Sequence, residues 1–431
     1  MGTLILSQRS TGFFKVLQPS RTLDNLAEPL SMTLRILHVV PYYEQAWAYG
    51  GIPRLVTTMT RGLARRGHQV TVCTTDVCDS QTRTAEAVSN AHGVDVRVFP
   101  NVSNAIAYHF QFFTPIGLRR YLRGSAGSFD IAHIHACHNI PGVVAAWELT
   151  RARVPYVVSP NGTARPLERR VRAKQLFALT AGRSMLPRAA SIVAVSRAEL
   201  RQLTQMGLDE SAIVHVPNPI DETEFDRLLD GDRYRQTLSL GRGPVVLFLG
   251  KLTPRKGVED LVRAFASLSD PTVTLVIAGN DMGAERRIMS LVRSLGLEKR
   301  VIRTGLLTGT ERLDAMAAAD VVVYPSRDEI FGLVPLEALL AGTPVIVCND
   351  SGCGEVVSST GGGLVVPPGD VSSLRTAIES VLADPAAWRR HARTAAATVR
   401  RRFGSEIVCE KIESLYWSLV ERQSSALRMG A

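Results

Sequence analysis

The sequence predicts an α/β protein made of two Rossmann-like, doubly wound halves that face each other across a central cleft. Short β-branched runs alternate with longer helical stretches, a pattern typical of repeated βα units and a parallel sheet. The alternation starts at Leu34, stops in a polar stretch from Asn218 to Gly243, and then starts again. Two series of similar length indicate two halves. Ligands of open α/β sheets bind beyond the carboxyl ends of the strands, so the cleft is the expected site.

The first half is predicted from short apolar runs whose continuous hydrophobicity indicates strands buried on both faces. A helix is predicted over Ile52–Arg66, with its apolar residues on one face and Gly67 at its end. The predicted strands are Leu34–Val40, Gln69–Thr74, Val94–Phe99, Ile131–Ile134, Tyr156–Ser159 and Ser191–Val195.

The second half repeats the pattern after the polar stretch, which we interpret as a linker region. Its predicted strands are Val245–Leu249, Val273–Ala278, Val301–Thr304, Val321–Tyr324, Pro344–Cys348 and Leu364–Val366. The predicted domains are therefore a disordered extension over 1–31, a first Rossmann-like half over 32–217, and a second Rossmann-like half over 218–404. An amphipathic helix within 405–431 is expected to pack back on the first half.

The composition is that of a soluble globular protein, since 45% of the 431 residues are hydrophobic and 21% are charged. No apolar run approaches the roughly 20 residues that span a bilayer. The apolar patch Leu4–Leu6 is too short for a signal-peptide core. The six cysteines form no C-x-x-C pair, which favours free thiols in a reducing cytosol. We therefore expect a cytoplasmic protein.

The charge is unevenly distributed along the chain. Residues 1–217 contain 24 Lys and Arg against 13 Asp and Glu, whereas residues 218–431 contain 26 against 27. A basic first half predicts contact with an anionic surface or acceptor. No aromatic-basic interleaving indicates nucleic acid, so an anionic membrane face, at the inner side of the membrane, is the favoured partner. The basic stretch Arg165–Phe177 is either a solvated helix or an interfacial one.

The segment from Gly250 to Gly257 has the features of a diphosphate site. A buried strand ends at Gly250, and Lys251 and Lys256 lie in the loop that opens the next helix. Two cations and a helix N-terminus at a strand's carboxyl end suit a diphosphate. The alternative is that the segment from Gly250 to Gly257 is a solvated turn that binds no ligand.

Two glutamates frame a Phe-Gly-Leu turn downstream, and this frame favours the phosphate interpretation. Phe331, Gly332 and Leu333 separate Glu329 from Glu337, and Gly332 permits close approach of a ligand to backbone N–H groups. Glu329 is expected to hold sugar hydroxyls and Glu337 those of a ribose. A first-turn carboxylate favoured by the helix dipole is the alternative for Glu337, but its apolar neighbours predict a buried carboxylate, which needs a partner.

The first half supplies weaker candidates. Gly50 and Gly51 open a helix and allow a close backbone approach to donor phosphate and acceptor. His133 and His135 point to the same side of one strand by its period of two. The alternative for each histidine is a structural role. Two histidines on one face at the end of a strand favour a functional role. His138 is a further candidate that could take the place of either. Lys174 is a candidate for contact with an anionic acceptor.

Together these residues resemble family 4 of the retaining glycosyltransferases, which have the GT-B fold. The resemblance covers residues 33 to about 420. The family's two-glutamate motif matches Glu329 and Glu337, and its G-[RK]-x-x-x-x-K-G segment matches from Gly250 to Gly257. Lys251 replaces the arginine usual in the family, which keeps the charge but loses the bidentate fork. The segment from Ala341 to Ile346, with Gly352 and Glu355, also follows the family pattern, as does the glycine loop at Gly50 and Gly51.

The resemblance implies transfer with retention from a UDP- or GDP-linked sugar to a glycan or lipid-linked acceptor, in polysaccharide or glycoconjugate biosynthesis. It assigns catalytic roles to His135, as a cleft histidine near the reacting carbon, and to Glu329 and Lys256. It also places Asn161 in an acceptor-side loop where many members carry His. Fixed cations make a divalent metal unnecessary for the diphosphate, so we expect no metal and no cofactor. The one D-x-D, Asp230 to Asp232, lies in the linker and is discounted as a metal site.

Two alternatives remain open. One is a nucleotide-sugar epimerase on the same fold, which would interconvert donors without an acceptor. The other is a non-catalytic nucleotide-sugar-binding protein. A phosphorylase would need a pyridoxal lysine that no segment suggests, and a nicotinamide dehydrogenase is excluded because no G-x-G-x-x-G follows a strand.

Overall fold

Two twisted sheets form the framework of the molecule. The structure is a computed structural model that describes residues 33–84, 88–165 and 184–429. The predicted extension 1–31, Lys174 and nearly all of the basic stretch Arg165–Phe177 lie outside these residues. The first sheet has the order β3-β4-β2-β1-β5-β6-β7-β8. Its strands are β1 Arg35–Val39, β2 Gln69–Thr75, β3 Val88–Ala91, β4 Val94–Phe99, β5 Ile131–His135, β6 Tyr156–Ser159, β7 Ser191–Ala194 and β8 Ile213–His215.

One strand of the first sheet departs from the predicted parallel arrangement. Strand β3 pairs antiparallel with β4 through a two-residue turn at His92 and Gly93. Both turn residues have positive φ, 55° and 77°, as the tight hairpin turn requires. The sequence Val88–Ala91 is polar at two of its four positions, so no apolar run marked it as a strand.

The helices of the first half follow the strands in the expected alternation. Ser103, Asn139 and Ser196 cap three of them by accepting a backbone N–H with their side chains. The helices are α1 Gly51–Arg65, α2 Asn104–Phe110, α3 Leu118–Ser125, α4 Ile140–Ala152 and α5 Arg197–Gln205.

The second sheet is parallel throughout and has the order β11-β10-β9-β12-β13-β14. Its strands are β9 Val245–Leu249, β10 Thr274–Ala278, β11 Val301–Gly305, β12 Val321–Tyr324, β13 Val345–Cys348 and β14 Gly363–Val366. The remaining helices are α6 Gly231–Thr237, α7 Val258–Ala266, α8 Glu285–Ser294, α9 Gly309–Ala318, α10 Leu333–Leu340, α11 Gly352–Thr360, α12 Val371–Ala383, α13 Pro385–Phe403 and α14 Ser405–Met429. The prediction of an α/β fold with two sheets is confirmed.

The polar stretch 218–243 is folded, so its interpretation as a linker region is wrong. It contains a 3-10 turn at Glu222–Phe225 and helix α6, and it buries Phe225 and Tyr234 in the core of the second half. Asp230, in the D-x-D sequence, caps α6 by accepting the Arg233 N–H at 2.8 Å. An aspartate that made the stretch look like a linker is therefore a helix-capping residue.

The last helix returns to the first half of the chain. Val408, Cys409 and Ile412 of α14 are buried in the core that includes β1 and α1. Gly62 of α1 lies so close that a Cβ there would be 2.4 Å from the Cys409 sulfur. Among the described helices, including α14, none is long and apolar enough to cross a membrane.

Candidate active site

A cleft of about 300 Å³ opens where the strand ends of the two sheets meet. Loops from both halves line it. It brings together most of the residues that the sequence predicts for donor binding, and one acceptor-side candidate. These residues are Gly50, Gly51, Asn161, Gly250, Lys251, Lys256, Glu329, Phe331, Gly332 and Leu333.

Lys256 and Glu329 form an ion pair at this cleft. The Lys256 ammonium donates to the Glu329 carboxylate at 2.5 Å and also to the Tyr324 hydroxyl, and it lies 4.6 Å from the centre of the Tyr324 ring. Ser326 donates to the same carboxylate oxygen at 2.8 Å. Burial opposes ionisation of Glu329, but the charges of Lys256 and Arg255 outweigh it and lower its pKa to about 2. Glu329 is therefore a hydrogen-bond acceptor at neutral pH.

A glycine in the left-handed region brings this pair together. Gly257 has φ +68°, and a Cβ there would lie 2.2 Å from the Pro325 carbonyl oxygen. Only glycine lets the turn after β9 lie directly against the turn after β12. That contact places Lys256 beside Glu329.

The Phe-Gly-Leu turn adds a helix N-terminus to the cleft. Gly332 precedes α10 with φ +77°, and a Cβ there would lie 2.6 Å from the Cys353 sulfur. The first helical residues, Leu333 and Val334, both line the cleft. The unpaired N–H groups and the positive end of the helix dipole therefore face it, as an anion-binding site requires.

The two halves meet at Lys251. Its ammonium donates to the Tyr49 carbonyl at 3.3 Å, and Gly50 has φ +95°. A Cβ at Gly50 would lie 3.1 Å from the Lys251 Cε. The glycine loop of the first half thus lies against a predicted phosphate ligand of the second.

Glu337 is not among the residues that line this cleft, and its expected contact with a ribose stays a prediction. Its carboxylate is 1% exposed and pairs with Arg54 of α1 and with Arg312 of α9, the latter at 3.0 Å. It borders a smaller neighbouring pocket of about 130 Å³. A buried carboxylate needs partners, as predicted, but two arginines supply the positive charge.

Those two arginines are cleft residues that the sequence analysis missed. Arg54 and Arg312 both line the main cleft, and each guanidinium lies within 6 Å of the Trp47 ring centre. The position of Arg54 on the helix after the glycine loop was a usable signal. Arg312 lies mid-helix in α9, where an arginine ordinarily faces solvent, so nothing in the sequence marked it.

The structure does not bring His133 or His135 to the cleft. Both are fully buried, and with His38 of β1 they form a stack in which the His133 and His135 ring centres are 4.2 Å apart. His38 Nδ1 and His135 Nε2 are 2.9 Å apart. The predicted common side is right, but helix α14 covers that face of the sheet, and its Tyr416 hydroxyl lies 2.6 Å from His133 Nδ1.

This histidine stack is also the one group among the described residues that is close enough to hold a metal ion, with nitrogens within 4.8 Å of one another. Both nitrogens of His133 are already hydrogen-bonded, to Tyr416 and to Ser159. His38 Nδ1 and His135 Nε2 likewise lie within hydrogen-bond distance of each other, so these two ring nitrogens are engaged with one another. Burial lowers the pKa of His38 to about 3 and those of the other two well below the usual value, so the stack is neutral.

The acceptor-side loop is held by a buried glutamate. Asn161 lines the cleft, and the Gly162 N–H donates to Glu199 of α5 at 2.6 Å. The Val195 N–H donates to the other carboxylate oxygen at 2.9 Å. Burial raises the pKa of Glu199 to about 7, although both hydrogen bonds oppose the rise. The loop reaches the second half at Ile330, beside Glu329, where a Cβ on Gly162 would be 3.0 Å from Ile330.

His138, the other first-half candidate, does not line the cleft. Its Nε2 lies 2.9 Å from the Ala164 carbonyl oxygen. Asn280 is a further cleft residue that no motif indicated. It donates to the Ala48 carbonyl at 3.0 Å and to the Tyr108 hydroxyl at 2.8 Å, which ties the two halves together.

Comparison with known proteins identifies the relatives of this chain. The family described as Glycosyl transferases group 1 matches residues 232–399, and Glycosyltransferase Family 4 matches residues 49–224. A D-inositol 3-phosphate glycosyltransferase of Acidothermus cellulolyticus is 30% identical over 398 residues, 88% of each chain. A glycogen synthase of Mycobacterium tuberculosis is 28% identical over 412 residues, 86% of this chain and 93% of the relative.

Solved structures show the same fold. Anabaena Alr3699/HepE in complex with UDP and glucose superposes with a TM-score of 0.72 at 22% identity, over 89% of this chain and 100% of that one. Sucrose-phosphate synthase of Thermosynechococcus elongatus superposes with a TM-score of 0.71 at 22% identity, over 90% of this chain and 99% of that one. With two family matches that together span both sheets and a relative at 30% identity, the chain belongs to the family 4 glycosyltransferases of the GT-B fold.

Proposed function

We propose that this protein is a retaining, metal-independent glycosyltransferase that moves a sugar from a nucleoside diphosphate sugar to a glycan or lipid-linked acceptor. The observation that carries the proposal is the Lys256–Glu329 pair beside the N-terminus of α10. It combines cations for a diphosphate with an ionised carboxylate for sugar hydroxyls. The complex of the Anabaena relative with UDP and glucose supports a donor of this class, with UDP or GDP as the nucleotide.

The diphosphate is assigned to Lys251, Lys256 and the first amides of α10. An ammonium has three N–H donors, and Lys256 uses two of them on Tyr324 and Glu329. The third can donate to a phosphate oxygen. These groups stabilise charge that develops on the leaving diphosphate, which is the role that a divalent metal has in other transferases.

The sugar is assigned to Glu329. With a pKa of about 2 this carboxylate accepts hydroxyl hydrogen bonds and cannot act as a general acid at neutral pH. In the proposed step, the bond from the anomeric carbon to the phosphate oxygen breaks while the acceptor oxygen bonds to the same face. The acceptor proton passes to the leaving phosphate oxygen, so no protein base is required.

The first half is assigned to the acceptor, through Asn161 and the loop that Glu199 holds. Because His133 and His135 are buried, we assign them no contact with substrate. Lys174 remains a sequence-based candidate for acceptor binding. We place the enzyme in the cytoplasm, at the inner face of the membrane, in polysaccharide or glycoconjugate biosynthesis.

Release of nucleoside diphosphate from a panel of UDP- and GDP-sugars, with and without candidate acceptors, tests the proposal. We expect one donor to be consumed and Glu329→Ala to lower the rate at least about a hundredfold, since it removes charged hydrogen bonds to the sugar. Glu421→Ala, at an exposed carboxylate of α14, is the matched control and should be unchanged. Full transfer by Glu329→Ala, or donor interconversion without an acceptor, would refute the proposal.

A further inference from the structure

Large apolar side chains are exposed together on one part of the first half. Between Val102 and Ile116, five of them are 43% to 64% exposed. We call the surface formed by residues 102–123 the α2–α3 surface. Its exposed apolar members are Val102, Ile106, Phe110, Phe112 and Ile116. Clustered exposure of this kind marks an interaction site, whereas scattered single residues do not.

Backbone contacts make these residues one continuous surface. Ile106 and Phe110 lie one turn apart on α2 and so share a face. The Val102 N–H donates to the Thr114 carbonyl at 3.3 Å, and the Ile116 N–H donates to the Pro100 carbonyl at 2.8 Å. The segments before and after α2 therefore lie side by side, with their apolar residues next to those of the helix.

The same surface is basic. Between Asp95 and Asp130 the chain contains no Asp or Glu. Helix α3 buries Leu118 and Leu122, which leaves its three arginines, Arg119, Arg120 and Arg123, exposed.

An exposed tryptophan of α4 extends the basic region. The Arg119 guanidinium lies 4.5 Å from the ring centre of Trp147, which is 46% exposed. Glu148, the acidic group that faces these arginines, is buried and pairs with Arg119 at 3.3 Å. One carboxylate against three guanidinium groups leaves the region positive.

This surface adjoins the mouth of the cleft. Gln111 lies between Phe110 and Phe112 in sequence, and it lines the cleft. On the inner side of α2, the Tyr108 hydroxyl donates to the Asp281 carbonyl of the second half at 3.2 Å. A partner that covers the exposed side would therefore meet the cleft opening.

We propose that the α2–α3 surface docks on an anionic lipid bilayer and presents the cleft to an acceptor held in that bilayer. Apolar and aromatic side chains enter the headgroup boundary, while arginines pair with anionic headgroups. An acidic protein is the alternative partner, and failure of the unaltered chain to bind anionic vesicles at low salt would favour it. The inference rests on the proposed function and narrows its acceptor from a glycan or lipid-linked molecule to a membrane-borne one.

Co-sedimentation of the full chain with vesicles tests this surface. We expect binding to phosphatidylcholine mixed with phosphatidylglycerol, weaker binding at high salt, and little binding to phosphatidylcholine alone. Phe112→Ser with Ile116→Ser should lower the partition coefficient at least about tenfold, because two apolar side chains no longer enter the headgroup boundary. Arg120→Glu should lower it by about tenfold at low salt.

Leu228→Ser is the matched control, because Leu228 is 93% exposed in the second half and should not contact the bilayer. The inference is overturned if the unaltered protein does not bind anionic vesicles at low salt, or if neither surface variant weakens binding. It is also overturned if only Arg120→Glu does so, since that outcome means adsorption without insertion. Binding of UDP and of GDP, measured by calorimetry on the same samples without vesicles, reports separately on the proposed function and should be equal in all variants.

Discussion

Two glutamates on opposite sides of the cleft have pKa values that move in opposite directions. Glu329 in the second half is surrounded by cations, and its pKa falls to about 2. Among the described residues, the Glu199 carboxylate of the first half accepts from two backbone N–H groups, and burial raises its pKa to about 7. The contrast shows where the fold maintains charge. The second half holds an ionised carboxylate paired with a cation, whereas in the first half the Glu199 carboxylate is held by backbone N–H groups.

The histidine stack shows the same effect of burial, which disfavours the charged form of a titratable group. His38, His133 and His135 are fully buried, and burial lowers all three pKa values. Neutral histidines stacked under α14 are a packing element of the first half. Donor chemistry is therefore assigned to the second half.

Removing the cation of the Lys256–Glu329 ion pair should have the largest effect on transfer. Lys256→Met should lower kcat/KM about a thousandfold, or about 4 kcal/mol, because the leaving diphosphate loses a preorganised charge. It should also reduce the free energy of unfolding by about 3 kcal/mol, since Glu329 is left without its main partner. Transfer kinetics and urea unfolding measure the two effects.

The double variant Lys256→Met with Glu329→Gln separates stability from activity. It removes both charges, so stability should recover while transfer stays low. Lys411→Met, at an exposed lysine of α14, is the control for loss of a positive charge. A double variant that regains transfer would show that the pair serves the fold alone.

Glu199→Gln should change how stability depends on pH. The folded pKa of about 7 lies above the unfolded value of about 4.3, so the wild type loses stability as pH rises through this interval. The loss approaches 3 to 4 kcal/mol by pH 8, and the variant should lack it. Unfolding curves for both proteins from pH 5 to pH 8 measure the difference. Parallel curves would mean that Glu199 does not titrate in this range.

Gly332→Ala should cost about 2 kcal/mol of folding free energy and weaken transfer. An alanine there must adopt φ near +77°, and its Cβ must displace the Cys353 sulfur from 2.6 Å. Adding Cys353→Ala should recover only part of the loss, because it relieves the contact and leaves the backbone strain. Complete recovery would mean that the positive φ is unimportant. Thermal unfolding of the three variants provides the comparison.

His135→Gln should have the smallest effect on catalysis. If the stack is structural, kcat stays within about threefold of the wild type while the free energy of unfolding falls by about 1 to 3 kcal/mol, as expected for a disturbed buried hydrogen bond. A hundredfold loss of kcat without loss of stability would restore the catalytic role that the family resemblance implies.

The sequence was informative where function depends on local segments. The strands of the second sheet, the Lys256 loop and the Glu329 turn are each contiguous, so apolar runs, glycines and charges placed them near a common edge. Val94–Phe99, Val245–Leu249 and Val321–Tyr324 have the predicted bounds. The two-residue repeat of side-chain direction along a strand also placed His133 and His135 on one side of β5.

What the sequence could not show are contacts between distant segments. The partners of Glu337 come from α1 and α9, and Tyr416, which covers His133, comes from the last helix. Residue spacing predicts which way a side chain points, but not which distant element covers it. The polar stretch 218–243 was interpreted as a linker for a similar reason. The sequence alone does not distinguish an aspartate that caps a helix from an aspartate in a linker.

Calorimetric titration of UDP and of GDP into the wild type, Lys256→Met and Lys411→Met tests the central claim most directly. The account predicts that one of the two nucleotides binds the wild type and Lys411→Met with equal Kd, and binds Lys256→Met at least about a hundredfold more weakly, as loss of a charge-assisted phosphate contact implies. Equal affinity of Lys256→Met and the wild type would contradict the assignment of the diphosphate to the second half's ion-paired site.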